Sequence, residues 1–269
     1  MKIQLPLTAI LLSALTLFGC AGPPTASDQG TASSMPSAPV VSPEPAVKPQ
    51  PIDVLKKMAA YLQSLDRFKV KVKKTTELIL PSEERLLADQ TVDVAVQKPN
   101  RLWANFQNLS GGRQFFYDGK SFSLYTPESN VYASVAAPPT IDGTLDLLQD
   151  RYQIAMPIAD LLFADPQSRL VQNLKSETYV GRILVRGVVC HHLAFRTPEV
   201  DWEIWIEDGP RPLPRRLVLT DKSVQGSPMM LAALTDWDVA PTFAADLFTF
   251  NPPPNAEKIS FLGEVPAAK

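Results

Sequence analysis

From residue 68 to residue 135 apolar and polar residues alternate at a period of two, interrupted only by short turn-forming stretches. Phe68, Val70 and Val72 alternate with Lys69, Lys71 and Lys73, the pattern of a half-buried strand. That run reaches Leu80 and is broken by Pro81-Ser82. Val92, Val94 and Val96 form the next strand, and Pro99-Asn100 turns the chain into Leu102, Ala104 and Phe106. Ser110-Gly111-Gly112 turns it again into Gln114 to Tyr117, and Asp118-Gly119 is a strong two-residue hairpin signal. Ser121 to Tyr125 and Val131 to Val135 complete six strands, which short turns join into an antiparallel meander.

Helical periodicity flanks this region. Leu55, Met58, Ala59, Leu62 and Leu65 recur at helical spacing after Pro51 and Asp53, predicting an amphipathic helix over 52–65. A second helix is predicted around Leu145, Leu148 and Tyr152, a third from Pro157 to Phe163, and a further turn or two at Leu170 to Leu174. Strands then resume on either side of Gly181, from Val188 to Arg196, from Trp202 to Glu207, from Arg215 to Thr220 and from Met229 to Asp238. Phe248 and Phe250 predict a short last strand. So many strands do not lie flat and open without curling. The expected fold is mainly β, of the α+β class: one curved, unclosed antiparallel sheet whose concave face the few helices cover.

The N-terminus belongs to a different regime. Lys2 precedes a short apolar run, Leu5 to Phe18, which is too short for a bilayer span of about 20 residues and describes a secretory signal over 1–19. Leu17-Phe18-Gly19-Cys20 resembles the bacterial lipobox, in which the cysteine is acylated and becomes the first mature residue. Eight prolines between Pro23 and Pro51, set among Ala, Ser and Thr, predict a disordered tether over 20–51. Some 30 such residues reach up to roughly 90 Å in polyproline form. The expected organisation is then a domain over 52–262 and a short tail, 263–269. Ala21 is not the aspartate that resembles an inner-membrane retention signal. The expected location is therefore the outer membrane, anchored by lipid at Cys20 and facing the periplasm.

Composition narrows the function. Without residues 1–19 the chain carries 25 basic and 28 acidic groups, a net −3 that gives no electrostatic reason to expect nucleic acid. The only cysteines are Cys20 and Cys190; with lipid on Cys20, Cys190 has no partner within the chain and no disulfide framework is expected. Both histidines stand beside the second cysteine, in Cys190-His191-His192. A strand puts Cys190 and His192 on one face and His191 on the other. Zinc wants three or four ligands, and no second Cys/His group completes such a site, so a buried thiol and two partnered imidazoles are expected and neither metal nor cofactor. A nucleophilic cysteine would need a base and an oxyanion site, which the sequence does not supply in recognisable form. Glycine-rich phosphate loops and Gly-x-Ser-x-Gly are absent. The stripe of Lys69, Lys71 and Lys73 is expected to mark a solvated edge strand, with attraction to anionic lipid head groups as the sharper reading. Leu109 is expected in an exposed turn.

Several stretches carry a family resemblance: Phe116-Tyr117-Asp118-Gly119-Lys120, Leu124-Tyr125-Thr126-Pro127, Cys190 to Arg196, Asp201 to Glu207, Pro212-Leu213-Pro214-Arg215 and Phe248-Thr249-Phe250. Together they resemble a family of periplasmic proteins catalogued as domain of unknown function 2092, over nearly all of 52–262. That family is related in fold to the lipoprotein carriers LolA and LolB, whose half-barrel sheet holds acyl chains on a hydrophobic concave face. The resemblance implies a non-catalytic protein that binds a hydrophobic ligand, whether an acyl chain, a lipid or a lipoprotein. Val92, Val94, Leu102, Phe106, Phe122, Leu124, Trp202, Ile204, Leu217 and Leu219 are the strand positions expected to line its cavity, although ordinary core uses the same residues. The alternative is an envelope interaction or sensing module of the same fold with a packed interior.

Overall fold

The computed structural model describes residues 48–152, 154, 158–162, 165 and 170–261. The signal segment, Cys20, all of the tether up to residue 47 and the tail lie outside these residues, as do Pro157 and Phe163. The meander runs β1 (Arg67–Ile79), β2 (Arg85–Gln97), β3 (Arg101–Asn108), β4 (Gly111–Tyr117), β5 (Ser121–Thr126) and β6 (Val131–Ala136). The second series runs β7 (Ser176–Val185), β8 (Val188–Arg196), β9 (Val200–Glu207), β10 (Pro214–Asp221) and β11 (Met229–Asp238), followed by the two-residue β12 (Glu257–Lys258). Helices α1 (Pro51–Ser64), α2 (Ile141–Tyr152) and α3 (Ala159–Leu162) complete the described elements.

All twelve strands form one sheet, in the order β12-β6-β5-β4-β3-β2-β1-β11-β10-β9-β8-β7. Its ends do not meet, and every pairing is antiparallel except β12 with β6. The two series join through β1 and β11, where Val72 faces Leu234 and Lys74 faces Ala232. Following the register from Lys74 gives one row across the sheet: Ala232, Leu217, Ile204, Leu193 and Tyr179. The other way, Val72 leads through Val92 and Phe106 to Arg113. These residues share a face, because opposite neighbours in a ladder point the same way.

The helices cover that face. α1 begins at Pro51, whose missing N–H is no loss at a helix start, and Asp53 sits in its first turn. Val54, Leu55, Met58, Ala59 and Leu62 form its buried stripe, and the helix packs against β7, β8 and β9. Its last carbonyls would be orphaned. Lys98, in the β2–β3 turn, donates through Nζ to the Leu62 carbonyl at 2.6 Å and to that of Gln63 at 3.1 Å. Burial lowers the pKa of this lysine, and Asp66 and Asp142 pull it back up. Leu55, Met58 and Leu62 of α1, Ile141, Leu145 and Leu148 of α2, and Ile158 and Leu161 join the inward strand residues in one hydrophobic core.

Several local expectations need correction. The lysine stripe does not mark an edge: β1 lies in the middle of the sheet, and Lys71 pairs with Asp93 of β2 at 3.4 Å. Alternating Lys and Val reports which face is wet, not whether the strand has neighbours. Phe248 and Phe250 are in no strand; they lie in an irregular segment over 239–256, where Thr249 N–H turns back to the Asp246 carbonyl. Phe250 sits 5.1–5.6 Å from the rings of Phe116, Tyr125 and Tyr132, on the outer face of β4 to β6. β12 then runs beside β6, and Phe261 packs against Phe122 at 6.2 Å and Tyr152 at 4.9 Å, on the helix-covered face. The C-terminal chain thus hooks around the β6 edge and protects its unpaired backbone groups. Gly111 and Gly112 belong to β4 rather than to a turn, and β2 starts seven residues before Val92.

Candidate functional site

One strand face changes character along its length. On β1, Phe68, Val70 and Val72 are buried in the core, and Lys74, Thr76 and Leu78 continue the same side of the strand. On β2 the partners of these positions change likewise, from Val96, Val94 and Val92 to Gln90, Ala88 and Leu86. The helix-covered face is therefore filled at one end and becomes amphiphilic at the other.

A cleft of about 530 Å³ opens at that transition. Phe106, Phe115 and Ile154 supply apolar walls; Phe106 and Phe115 are cross-strand neighbours in successive rows, their ring centroids 4.8 Å apart. Lys74, Gln90, Asn108, Arg113, Thr126 and Glu128 supply polar ones. Period two along β4 explains why Arg113, Phe115 and Tyr117 share this side. Glu128 is already engaged: its Oε1 accepts the Gly112 N–H at 2.6 Å. The two cations are not. Among the described residues neither the Lys74 nor the Arg113 side chain has a hydrogen-bond or ion-pair partner. Lys74 is half-buried, and desolvation alone lowers its pKa from the usual lysine value.

A second opening, about 860 Å³, lies farther out between the β1–β2 and β10–β11 hairpin tips. Leu78, Leu80, Pro81 and Val224 line it beside Glu77 and Arg85. Arg85 ties the tips together, donating to Glu77 Oε2 and to the Gly226 carbonyl, both at 2.7 Å. That hydrogen bond from Arg85 holds the Glu77 carboxyl below its usual pKa. Gly226 is at φ +80°, a backbone conformation that favours glycine, and a Cβ there would press on the movable end of Ile79, 2.5 Å away. Leu86, Leu87 and Met229 are exposed nearby, as is Leu109 in the β3–β4 turn.

Of the ten residues expected to line a cavity, Phe106 alone lines the 530 Å³ cleft. Val92, Val94, Leu102, Phe122, Trp202, Ile204 and Leu217 are buried in the core with it, and Leu124 and Leu219 are half-buried against that core. Sequence reasoning passed over Lys74, Arg113, Phe115 and Ile154. Lys74 was within reach, since it continues the face of Phe68, Val70 and Val72, and Phe115 lay inside the strand expected from Gln114 to Tyr117, whereas Arg113 fell in the stretch before it. Ile154, just past α2, had no periodic signal.

The Cys190-His191-His192 stretch is divided by the sheet as period two requires. Cys190 is fully buried, and burial pushes its thiol up to about 11, with Arg215 pulling down and Glu207 and Asp208 adding to the rise. Such a thiol is a proton-bearing packing group rather than a nucleophile. His191 Nδ1 lies 3.0 Å from the Tyr179 hydroxyl, and its Nε2 lies 3.1 Å from Asp208, which also pairs with Arg182. His192 Nε2 is 2.7 Å from Glu203, and its ring stacks on Trp205 at 4.0 Å. Arg216 sits over the same indole at 4.7 Å. The two carboxylates had no telling spacing in the sequence, since both come from beyond the strand. No group of three or more potential metal ligands occurs among the described residues.

A family model described as "Predicted periplasmic protein (DUF2092)" matches residues 52–262. No curated protein matches the chain. Among solved structures, the chain is similar to the lipoprotein LppX of Mycobacterium tuberculosis, at 12% identity and a TM-score of 0.46, over 72% of this chain and 97% of that one. It is similar to LprF of Mycobacterium bovis at 16% identity and 0.44, over 74% and 97%. A LolA superfamily protein of Nitrosomonas europaea is similar at 12% and 0.40, over 75% and 98%.

Proposed function

Because this chain belongs to the DUF2092 family of predicted periplasmic proteins, we propose that it binds a hydrophobic ligand, without catalysis, on the helix-covered face of its sheet. The ligand class is an acyl chain, a lipid or a lipoprotein. One observation carries this reading: the hydrophobic core is continuous with an open cleft of about 530 Å³ walled by Phe106, Phe115 and Ile154. That volume lies within the roughly 300–1,000 Å³ of small-ligand sites. Apolar walls facing open space lack contacts that an acyl chain would supply, and each CH₂ removed from water is worth about 0.8 kcal/mol.

The same proposal places the protein at the periplasmic face of the outer membrane. Acylation at Cys20 would anchor it, residues 20–51 would serve as tether, and 52–262 would form the binding domain. The apolar run ending at Gly19-Cys20 and the proline-rich stretch after it support this arrangement. In cell fractionation, Cys20→Ser should release the protein from membranes; tight membrane association of that variant would refute the anchor.

Ligand binding is tested by titrating the purified full-length protein with a fluorescent long-chain fatty acid. Saturable binding with near-stoichiometric capacity is expected. A folded protein that binds no probe and yields no lipid on solvent extraction would favour an interaction module instead. The exposed Leu78, Leu86, Leu87 and Val224 at the hairpin tips would then be the surface to pursue.

A further inference from the structure

We propose that Lys74 and Arg113 receive the anionic head group of a single-chain amphiphile whose tail lies along Phe106, Phe115 and Ile154. This rests on the hydrophobic-ligand reading above and names the ligand's chemistry. The inference comes from charge accounting in the cleft. Among the described residues three ionisable side chains line it: Lys74, Arg113 and Glu128. Glu128 accepts the Gly112 N–H at 2.6 Å and keeps its charge, while neither cation's side chain has a protein partner among the described residues, so these three groups leave a net positive charge in the cleft. Lys73 and Asp89 line an adjoining depression together with Lys74; Asp89 accepts the Thr75 hydroxyl at 2.6 Å and makes no ion pair with Lys74.

A half-buried ammonium with no direct ion-pair partner is costly to keep. Lys74 on β1 and the exposed Arg113 on β4 face the same cleft from either side of β2 and β3, and with its aromatic wall they are complementary to one kind of molecule, with a negative end and a long apolar one. The register fixes this polarity. Phe106 pairs with Arg113, Phe115 lies one row deeper with Ala104, and Lys74 and Gln90 lie one row farther out than Val72 and Val92. The head would therefore sit at the open end and the tail would point toward the core. Gln90 and Asn108, on the same rim, can donate to the same oxygens. A carboxylate and a phosphate monoester share this chemistry. The first would come from a free fatty acid and the second from a phospholipid with one chain.

The test is calorimetric titration of the full-length protein with three ligands of equal chain length: hexadecanoic acid, its methyl ester and hexadecyl phosphate. At pH 7 at least one anion should bind about tenfold or more tightly than the ester, the scale of one charge-assisted hydrogen bond. The tighter anion identifies the source. The combined Lys74→Met and Arg113→Gln substitutions should bring the anions to within about twofold of the ester and leave the ester unchanged, whereas Lys74→Arg should keep the preference. Equal binding of all three ligands to the wild-type protein would overturn the head-group site and leave the hydrophobic reading standing. No saturable binding by any of them would overturn both. An anion preference that survives in the folded double variant would also overturn the assignment to these residues.

Discussion

The two ends of the helix-covered face are built on the same strands and differ in what completes them. At the closed end, Phe68, Leu102, Tyr117 and Phe122 are each no more than 1% exposed, and the helices lie over them. At the open end the same faces carry Lys74, Gln90 and Arg113, and then Leu78, which is 46% exposed. Strand alternation is uninterrupted through the change, so the sheet itself does not distinguish core from cleft. The cover does. Where helices supply partner atoms, apolar strand residues become core; where none of the described residues does, the same geometry leaves a walled opening.

Substitutions should reveal this contrast in order of size. Leu102→Ala at the closed end should cost about 3 kcal/mol, as full truncations in a packed core do, whereas Leu78→Ala at the open end should stay within about 0.5 kcal/mol. Urea unfolding of both proteins measures the difference, and equal costs would erase the distinction between the ends. Phe261→Ala should fall between them, at about 2 kcal/mol, because it removes the ring by which the C-terminal hook grips Phe122 and Tyr152. Hydrogen exchange in that variant should rise first along β6.

Cys190→Ala should cost about 1 kcal/mol. The native thiol should resist iodoacetamide at pH 8 and react once the protein is unfolded. Its pH dependence has a definite sign. The folded thiol holds its proton up to about 11, whereas the unfolded one releases it near the ordinary thiol value, so the folded state binds more protons in between. The contribution of this thiol to stability should therefore be constant at lower pH and fall as pH climbs through that window. The Cys190→Ala protein should lack that part of the decline.

The smallest effect on stability belongs to Lys74→Met, expected within about 1 kcal/mol and tending to stabilise, since it removes an unpaired half-buried charge. The folded pKa of Lys74 is lowered, so the unfolded state binds the extra proton over the alkaline window. The burden of the charge is present at low pH and is relieved as pH rises toward the ordinary lysine value. A loss of several kcal/mol in this variant would mean that Lys74 holds the sheet together.

Much of the fold was legible because alternation and turn chemistry act locally. Phe68, Val70 and Val72 announced their strand, and the Leu55, Met58 and Leu62 stripe announced α1. Long-range relations were not legible. The lysines of β1 described a wet face and could not report that β11 lies on one side and β2 on the other. Phe248 and Phe250 read as a strand because aromatic residues at spacing two suit one, yet Phe250 is held by aromatic contacts to the outer face instead. The cleft was only partly legible. Val92 and Leu102 could be assigned to the inward face, but whether an inward residue meets a helix or open space depends on contacts with elements distant in sequence. Glu203 and Asp208 became partners of the histidines through the β8–β9 pairing and the turn after β9, which no local spacing announces.

The central claim is that ligand lies at the open end of this face. A long-chain fatty acid bearing a photoreactive diazirine near its middle tests it most directly. After irradiation of the bound complex and peptide mapping, adducts should concentrate on the peptides carrying Phe106, Phe115 and Ile154, and unlabelled fatty acid should compete them away. Adducts confined to the outer face or to the hairpin tips at Leu86, Leu87 and Val224, or labelling that unlabelled acid does not diminish, would contradict the account.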